Sequence, residues 1–250
     1  MGYANLSQCL TDLEAQGQLR RVDVELDPYL ELAAVQRRAF RAKAPALLFT
    51  RVRGTRFPML ANLFGTRERL RYIFRDSLRA VDAVLAARAD PMTALRRPWR
   101  ALPALPGLLR MLPRVRRVQG GEKGNAAPVL ECRCALADLP RLTCWPRDGG
   151  PFITLPLVYS EDPDRPGLNA SNLGMYRVQL AGNGYAPDEA GMHYQIHRGM
   201  GVHHAHALAQ GRDLPVHVYV GGPPALSVAA VMPLPEGLSE LRFAGLLGGR

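Results

Sequence analysis

The chain is 250 residues long, 47% apolar and 22% charged, with a formal net charge of +10 at pH 7. That length and balance suit one or two globular domains with a full core and exclude a disordered tail. No apolar run approaches the ~18 residues of a membrane-spanning helix, and Met1-Gly2-Tyr3-Ala4-Asn5-Leu6 lacks the basic and apolar regions of a signal peptide. Leu6 also stands where a myristoylation signal needs Ser or Thr, so a cytoplasmic location is expected.

In chain order, Leu6, Cys9, Leu10 and Leu13 recur at helical spacing, and Gly17 lies where a helix stop belongs. Leu19 to Val24 reads as a strand, Tyr29 to Ala42 as a second helix, and Ala46 to Val52 and Phe57 to Leu63 as two further strands. Gly65-Thr66 introduces a third helix, with Thr66 as its N-cap. This alternation predicts a small α/β domain over residues 1–90.

Residues 91–126 read as a basic, Pro- and Gly-rich connector with one short helix around Leu108. Arg96, Arg97, Arg100, Arg110, Arg114, Arg116 and Arg117 gather there with no acidic residue between Pro91 and Gly121. Lys43 and Lys123 are the only lysines, and no helix-turn-helix or RRM platform accompanies the arginines. A solvated basic surface is the plain reading, with no nucleic acid expected; a patch for anionic partners or a peripheral contact with the inner membrane is the second.

Residues 127–250 carry strand signals at Val129 to Leu136, Phe152 to Tyr159, Met175 to Ala181, Met192 to Ile196 and Pro215 to Gly221. Short strands separated by Gly and Pro predict a barrel or sandwich, decorated by helices at Gly201 to Gln210 and Leu238 to Leu247. Cys132-Arg133-Cys134 has one residue between the thiols, not the two of a zinc knuckle, so small buried hydrophobes on one strand face are expected.

Polar side chains cluster in Ser171-Asn172-Leu173-Gly174-Met175-Tyr176-Arg177, in His193-Tyr194-Gln195-Ile196-His197-Arg198-Gly199, and in Leu238-Ser239-Glu240-Leu241-Arg242-Phe243-Ala244-Gly245. A divalent cation bridged to a phosphate needs oxygen or nitrogen donors, cations for the phosphate, and small residues for close approach. Asn172 before Gly174 would supply a neutral oxygen on a loop, Glu240 a charged ligand, and Arg177 and Arg198 bidentate contacts. His193 and His197 share a face on either a helix or a strand. Singly, each cluster also reads as a turn or a solvated carboxylate, and the His-rich stretch of His193, His197, His203, His204 and His206 as a solvated strand and helix face or a zinc site. Gly182-Asn183-Gly184 lacks the third glycine of a dinucleotide fingerprint, and no Gly-x-Ser-x-Gly elbow is present.

In their order, and with Thr143-Cys144-Trp145-Pro146-Arg147-Asp148 and Phe152-Ile153-Thr154, these clusters resemble the UbiD family of decarboxylases. Leu19-Arg20-Arg21-Val22, Ala44 to Phe49 and Asn62-Leu63-Phe64-Gly65-Thr66 resemble the family's N-terminal domain, so the likeness spans the chain. The 4-hydroxy-3-polyprenylbenzoate decarboxylases of ubiquinone biosynthesis look most similar. The resemblance implies an α/β (α+β) fold, with the small N-terminal domain followed by part of a split β-barrel that binds prenylated FMN.

It further implies Mn²⁺ or Mg²⁺ on Asn172, Glu240 and His197, with K⁺ as a companion ion. Met175, Tyr176, Arg177, His193, Tyr194, Gln195, Arg198 and Gly199 match cofactor-binding stretches, and catalytic Arg177 also faces the substrate carboxylate. Some members carry Arg at the position of His193. The implied partners are an aromatic carboxylic acid, a prenyl-FMN synthase and, at full length, further copies of the chain. Members of the family are longer, and their catalytic acid corresponds to sequence beyond Arg250. The alternatives are therefore a non-catalytic flavin-phosphate-binding fragment, a subunit of a split enzyme, or a basic nucleic-acid or membrane-surface protein.

Overall fold

The computed structural model describes residues 2–89, 105–112, 129, 131–234 and 238–249. Helix α1 (Leu6–Ala15) starts where the Asn5 side chain accepts from the Gln8 N–H, and the chain turns out of it at Gly17 with φ +66°. Strand β1 (Leu19–Val22), helix α2 (Glu31–Arg41), strands β2 (Ala46–Phe49) and β3 (Met59–Ala61), helix α3 (Arg67–Ile73) and helix α4 (Leu78–Ala89) follow. β1 runs parallel to β2, which pairs antiparallel with β3. Thr66 caps α3 as its sequence predicts, accepting from the Arg69 N–H. The helix break at Phe74, and with it α4, is not marked by Gly or Pro and is absent from the sequence reading.

Of the 91–126 connector, residues 105–112 are described and hold the expected short helix, α5 (Leu105–Arg110). Arg96, Arg97, Arg100, Arg114, Arg116 and Arg117 lie outside the described residues.

Strands β4 (Phe152–Ile153), β5 (Leu157–Glu161), β6 (Ser171–Met175), β7 (Val178–Gln179), β8 (Gly191–Met192) and β9 (Val216–Tyr219) form two antiparallel three-stranded sheets, ordered β4-β7-β8 and β6-β5-β9. Helices α6 (Met200–Ala209), α7 (Pro224–Ala229) and α8 (Glu240–Gly248) complete the chain. The fold is mixed α/β, and among the described residues no sheet closes into a barrel.

Several expected strands differ. The described part of 129–136 has no strand, and Cys132 and Cys134 are exposed because no neighbouring strand covers them. Phe152 to Tyr159 is two strands, since Pro156 between them lacks an N–H for a ladder. Met192 to Ile196 is extended only to Met192, so His193 and His197 share neither a helix nor a strand face. Conversely, Asn172 and Gly174 lie on β6 rather than on a loop.

The main core joins both ends of the chain: Cys9, Leu13, Leu48 and Ile73 pack with Ala225 and Ala229 of α7 and Phe243, Leu246 and Leu247 of α8. A second cluster holds Leu26, Leu32, Phe49 and Val52 against Leu142. Beside it the Leu30 N–H donates to the Thr143 carbonyl at 2.9 Å, the Thr143 N–H to Pro28 at 3.1 Å, and Arg37 lies 5.3 Å above the Trp145 ring. The segment from Thr143 to Asp148 is thereby fastened to α2 and to the turn that leads into it. Among the described residues no helix is long and apolar enough to cross a membrane.

Candidate functional site

The register of β5 on β6 places Ser160 opposite Asn172 and Val158 opposite Gly174, so these residues share one sheet face. The start of α6 rests on that face. His203 Nδ1 lies 2.9 Å from Ser160 Oγ in a buried hydrogen bond, and burial pushes the imidazole below its ordinary pKa. Gly199, the N-cap of α6, has φ +49°, and a Cβ there would come 2.3 Å from Asn172 Oδ1 and 3.2 Å from the Tyr176 hydroxyl. A Cβ on Gly174 would strike the Tyr176 ring at 2.4 Å. Glycine at both positions is therefore what lets strand, tyrosine and helix end come together.

Gly199 has no side chain to cap α6, so the helix presents its positive N-terminal end beside Asn172, with the Gly201 and Val202 N–H groups turned back to the Arg198 and Gly199 carbonyls. Among the described residues the Asn172 amide nitrogen is buried without a hydrogen-bond partner. Such a group costs free energy unless something binds it. One residue along β6, the Leu173 N–H donates to Glu240 Oε2 at 3.3 Å. β6 is an edge strand, and Glu240 reaches its open side from the first turn of α8, which Ser239 caps through the Leu241 N–H at 3.2 Å. Asn172 and Glu240, far apart in sequence, thus become neighbours across the β6 edge.

Arg177 follows the same strand. Its guanidinium donates twice to Asp148, at 3.2 and 2.9 Å, and lies 3.9 Å from the centre of the Phe152 ring. Asp148 also accepts from the backbone N–H groups of Cys144 and Trp145, each at 3.2 Å. The Arg177 hydrogen bonds hold the Asp148 carboxyl below the usual carboxylate range, while burial pushes the Cys144 thiol up.

The other expected site residues fall into two groups. Met175 and Tyr176 lie half-buried beside Gly174. His193, Gln195, His197 and Arg198 are exposed on the loop between β8 and α6, and their side chains make no hydrogen bond to the described residues. Tyr194 pairs its hydroxyl with His204 Nδ1. Ser160, His203, Asp148 and Phe152 are neighbours that sequence reasoning did not assign. Of these, Asp148 carried a signal in the motif around Trp145, Phe152 in Phe152-Ile153-Thr154, and His203 as part of the His-rich stretch. Among the described residues, the His, Cys, Asp and Glu groups close enough to share one cation are Asp162, Asp164 and His206. They form an ion pair at the far end of α6, with His206 Nδ1 2.9 Å from Asp162 and 3.3 Å from Asp164.

Comparison with known proteins gives a consistent set of likenesses. The 3-octaprenyl-4-hydroxybenzoate carboxy-lyase N-terminal domain of the UbiD family matches residues 10–88, and the UbiD Rift-related domain matches residues 120–250. A Chlamydia pneumoniae protein, named as one of the subunits of a 4-hydroxybenzoate decarboxylase, is 40% identical over 239 residues, covering 94% of this chain and 38% of the relative. The UbiD-class enzyme HmfF of Pelotomaculum thermopropionicum, solved with FMN, is 27% identical with a TM-score of 0.72, covering 97% of this chain and 48% of that one. The vanillic acid decarboxylase of Sedimentibacter hydroxybenzoicus, at 24% identity and a TM-score of 0.76, covers 99% of this chain and 49% of that one and shares the fold. The chain spans about two fifths of the length of the curated relatives it matches.

Proposed function

The chain belongs to the UbiD family of carboxy-lyases, and from that premise we propose that it forms the phosphate-and-metal side of a prenylated-FMN site for decarboxylating an aromatic acid. The observation that carries this reading is the buried amide nitrogen of Asn172, unpaired among the described residues, set between the Glu240 carboxylate and the N-terminal end of α6. An amide with one atom buried and unpaired suits a bound ion once its oxygen is turned toward it. Glu240 supplies the negative charge that Mn²⁺ or Mg²⁺ prefers. The N-terminal end of α6 at Gly199 suits a phosphate, whose negative charge the helix dipole favours there. His197 joins as a third ligand if its exposed loop folds inward.

When bound, the prenylated flavin supplies the electron sink that loss of CO₂ from an aromatic ring otherwise lacks. The chain's own residues do the rest of the work. Tyr176 packs against both site glycines, beside the end of α6 proposed for the phosphate. Arg177 retains N–H groups beyond those given to Asp148, and these orient the acid's carboxylate. We place the substrate in the 4-hydroxybenzoate class, on the name of the Chlamydia pneumoniae relative, with a polyprenyl substituent and a role in ubiquinone biosynthesis as its most specific form. Turnover is assigned to an assembly that also contains the portion of the relatives outside the match.

Coexpression with a prenyl-FMN synthase in Mn²⁺-supplemented medium tests the reading. The purified chain is expected to carry a flavin absorption band. Asn172→Ala and Glu240→Gln should each weaken flavin retention by about tenfold or more, equivalent to ~1.4 kcal/mol. A folded wild-type chain with no bound flavin, or full retention in both variants, would sink it.

A further inference from the structure

We propose that Asp148 is a positioning residue for Arg177, fixing the guanidinium so that one edge of it alone is presented to an aromatic carboxylate. This rests on the reading of Arg177 as the ligand-facing cation. The geometry is specific. Asp148 meets the guanidinium end-on with both oxygens, at 3.2 and 2.9 Å, and the opposite constraint comes from the Phe152 ring 3.9 Å away. The carboxylate is itself held. Its Oδ2 accepts the Cys144 and Trp145 N–H groups, and its side chain is 9% exposed against 38% for Arg177.

The segment that carries Asp148 is tied to Pro28 and Leu30, just before α2, through Thr143 and to α2 itself through Trp145 and Arg37. Phe152 is tied to Gln179 by the β4–β7 pairing, two residues past Arg177. Two separately anchored elements therefore grip one flexible side chain. An arginine held this way has already lost its rotamer freedom, so a carboxylate that binds it does not have to order it. The remaining N–H groups keep their fork spacing, which matches two carboxylate oxygens.

The test compares 4-hydroxybenzoate with 4-hydroxybenzamide, which has the same shape without the charge. Affinities are read by ligand-observed NMR on the flavin-loaded chain. Wild type should prefer the acid by at least about tenfold. Arg177→Ala should abolish that preference. Asp148→Asn should cut it to within a few-fold of unity while the flavin spectrum and melting temperature hold, a selective loss that general loosening would not produce. Asp148→Glu should keep more of the preference than Asn does. If Asp148→Asn does not fold, Phe152→Leu removes the other half of the grip and should also lower the preference.

A preference kept or raised in Asp148→Asn, or unchanged in Phe152→Leu, overturns the proposal while Arg177 keeps its role. A preference that survives Arg177→Ala, or that wild type lacks, overturns the role of Arg177 itself and the positioning role with it.

Discussion

Gly199 shows how much of the site depends on the absence of a side chain. Its φ of +49° is a left-handed value that alanine adopts only at a cost, and a methyl there would sit 2.3 Å from Asn172 Oδ1. Gly199→Ala should therefore push Asn172 off the α6 end, and loss of flavin retention by about tenfold or more should accompany a stability loss of ~1–2 kcal/mol. Flavin absorbance and urea unfolding of the same samples check this, and an unperturbed flavin band would contradict it. Sequence pattern could name Asn172, Glu240 and Gly199, because amide, carboxylate and glycine are the residue types such a site needs. It could not show that the Asn172 amide is left unpaired, nor that His203 closes on Ser160 across 43 residues of sequence. Arg69 makes the same point in the core. Nothing in the sequence around it singles it out, yet it is 1% exposed and spends its guanidinium on the carbonyls of Leu63, Asn62 and Ala44. A contact with distant backbone leaves no periodicity to find.

At the level of elements, α6 is pinned to β5 at both ends of its buried face, by His203 on Ser160 and by His206 on Asp162 just past the strand. The second tie depends on pH. Its hydrogen bond from His206 holds Asp162 below the ordinary carboxylate range, and the same bond raises His206 above the ordinary imidazole value. The His206 contribution is complete below the unfolded imidazole pKa of about 6.5 and fades as pH rises through the raised folded value. The Asp162 contribution is complete above about 3.9 and fades as pH falls through the depressed one. The melting-temperature gap between wild type and His206→Ala should thus be widest near pH 5 to 6, about midway between those limits. It should shrink toward pH 9, well above the ~6.5 of free imidazole, and a gap that widens on the alkaline side would exclude the tie. Elements with an amphipathic repeat or a cap, such as α1, α3, α6 and α8, were legible in sequence within a residue or two. Short strands were not, because β4, β7 and β8 hold only two residues each and their pairing depends on partners elsewhere in the chain.

For the whole molecule, the decisive fact is that α7 and α8 share a core with α1, β2 and α3. The helix that carries Glu240 is therefore held against the N-terminal sheet, and the distance between Glu240 and Asn172 is set by packing across the full length of the chain. Hydropathy along the sequence shows that each helix has an apolar face but not which faces meet. The β6-β5-β9 sheet is less complete at the edge away from Glu240, as far as the described residues go. β9 is an edge strand in the order β6-β5-β9, its residues are exposed throughout, and Val216, Val218, Tyr219 and Val220 form an apolar run there. An open edge with apolar side chains pairs readily with another strand. Here the chain spans about two fifths of its curated relatives, so an uncovered edge of this kind is consistent with a surface that more polypeptide would bury. Light scattering across a concentration series should show the 250-residue chain associating reversibly. Val218→Lys places a charge on that edge without touching the main core, so it should suppress the association several-fold while circular dichroism stays the same. Equal association in wild type and variant would mean that the contact lies elsewhere on the molecule.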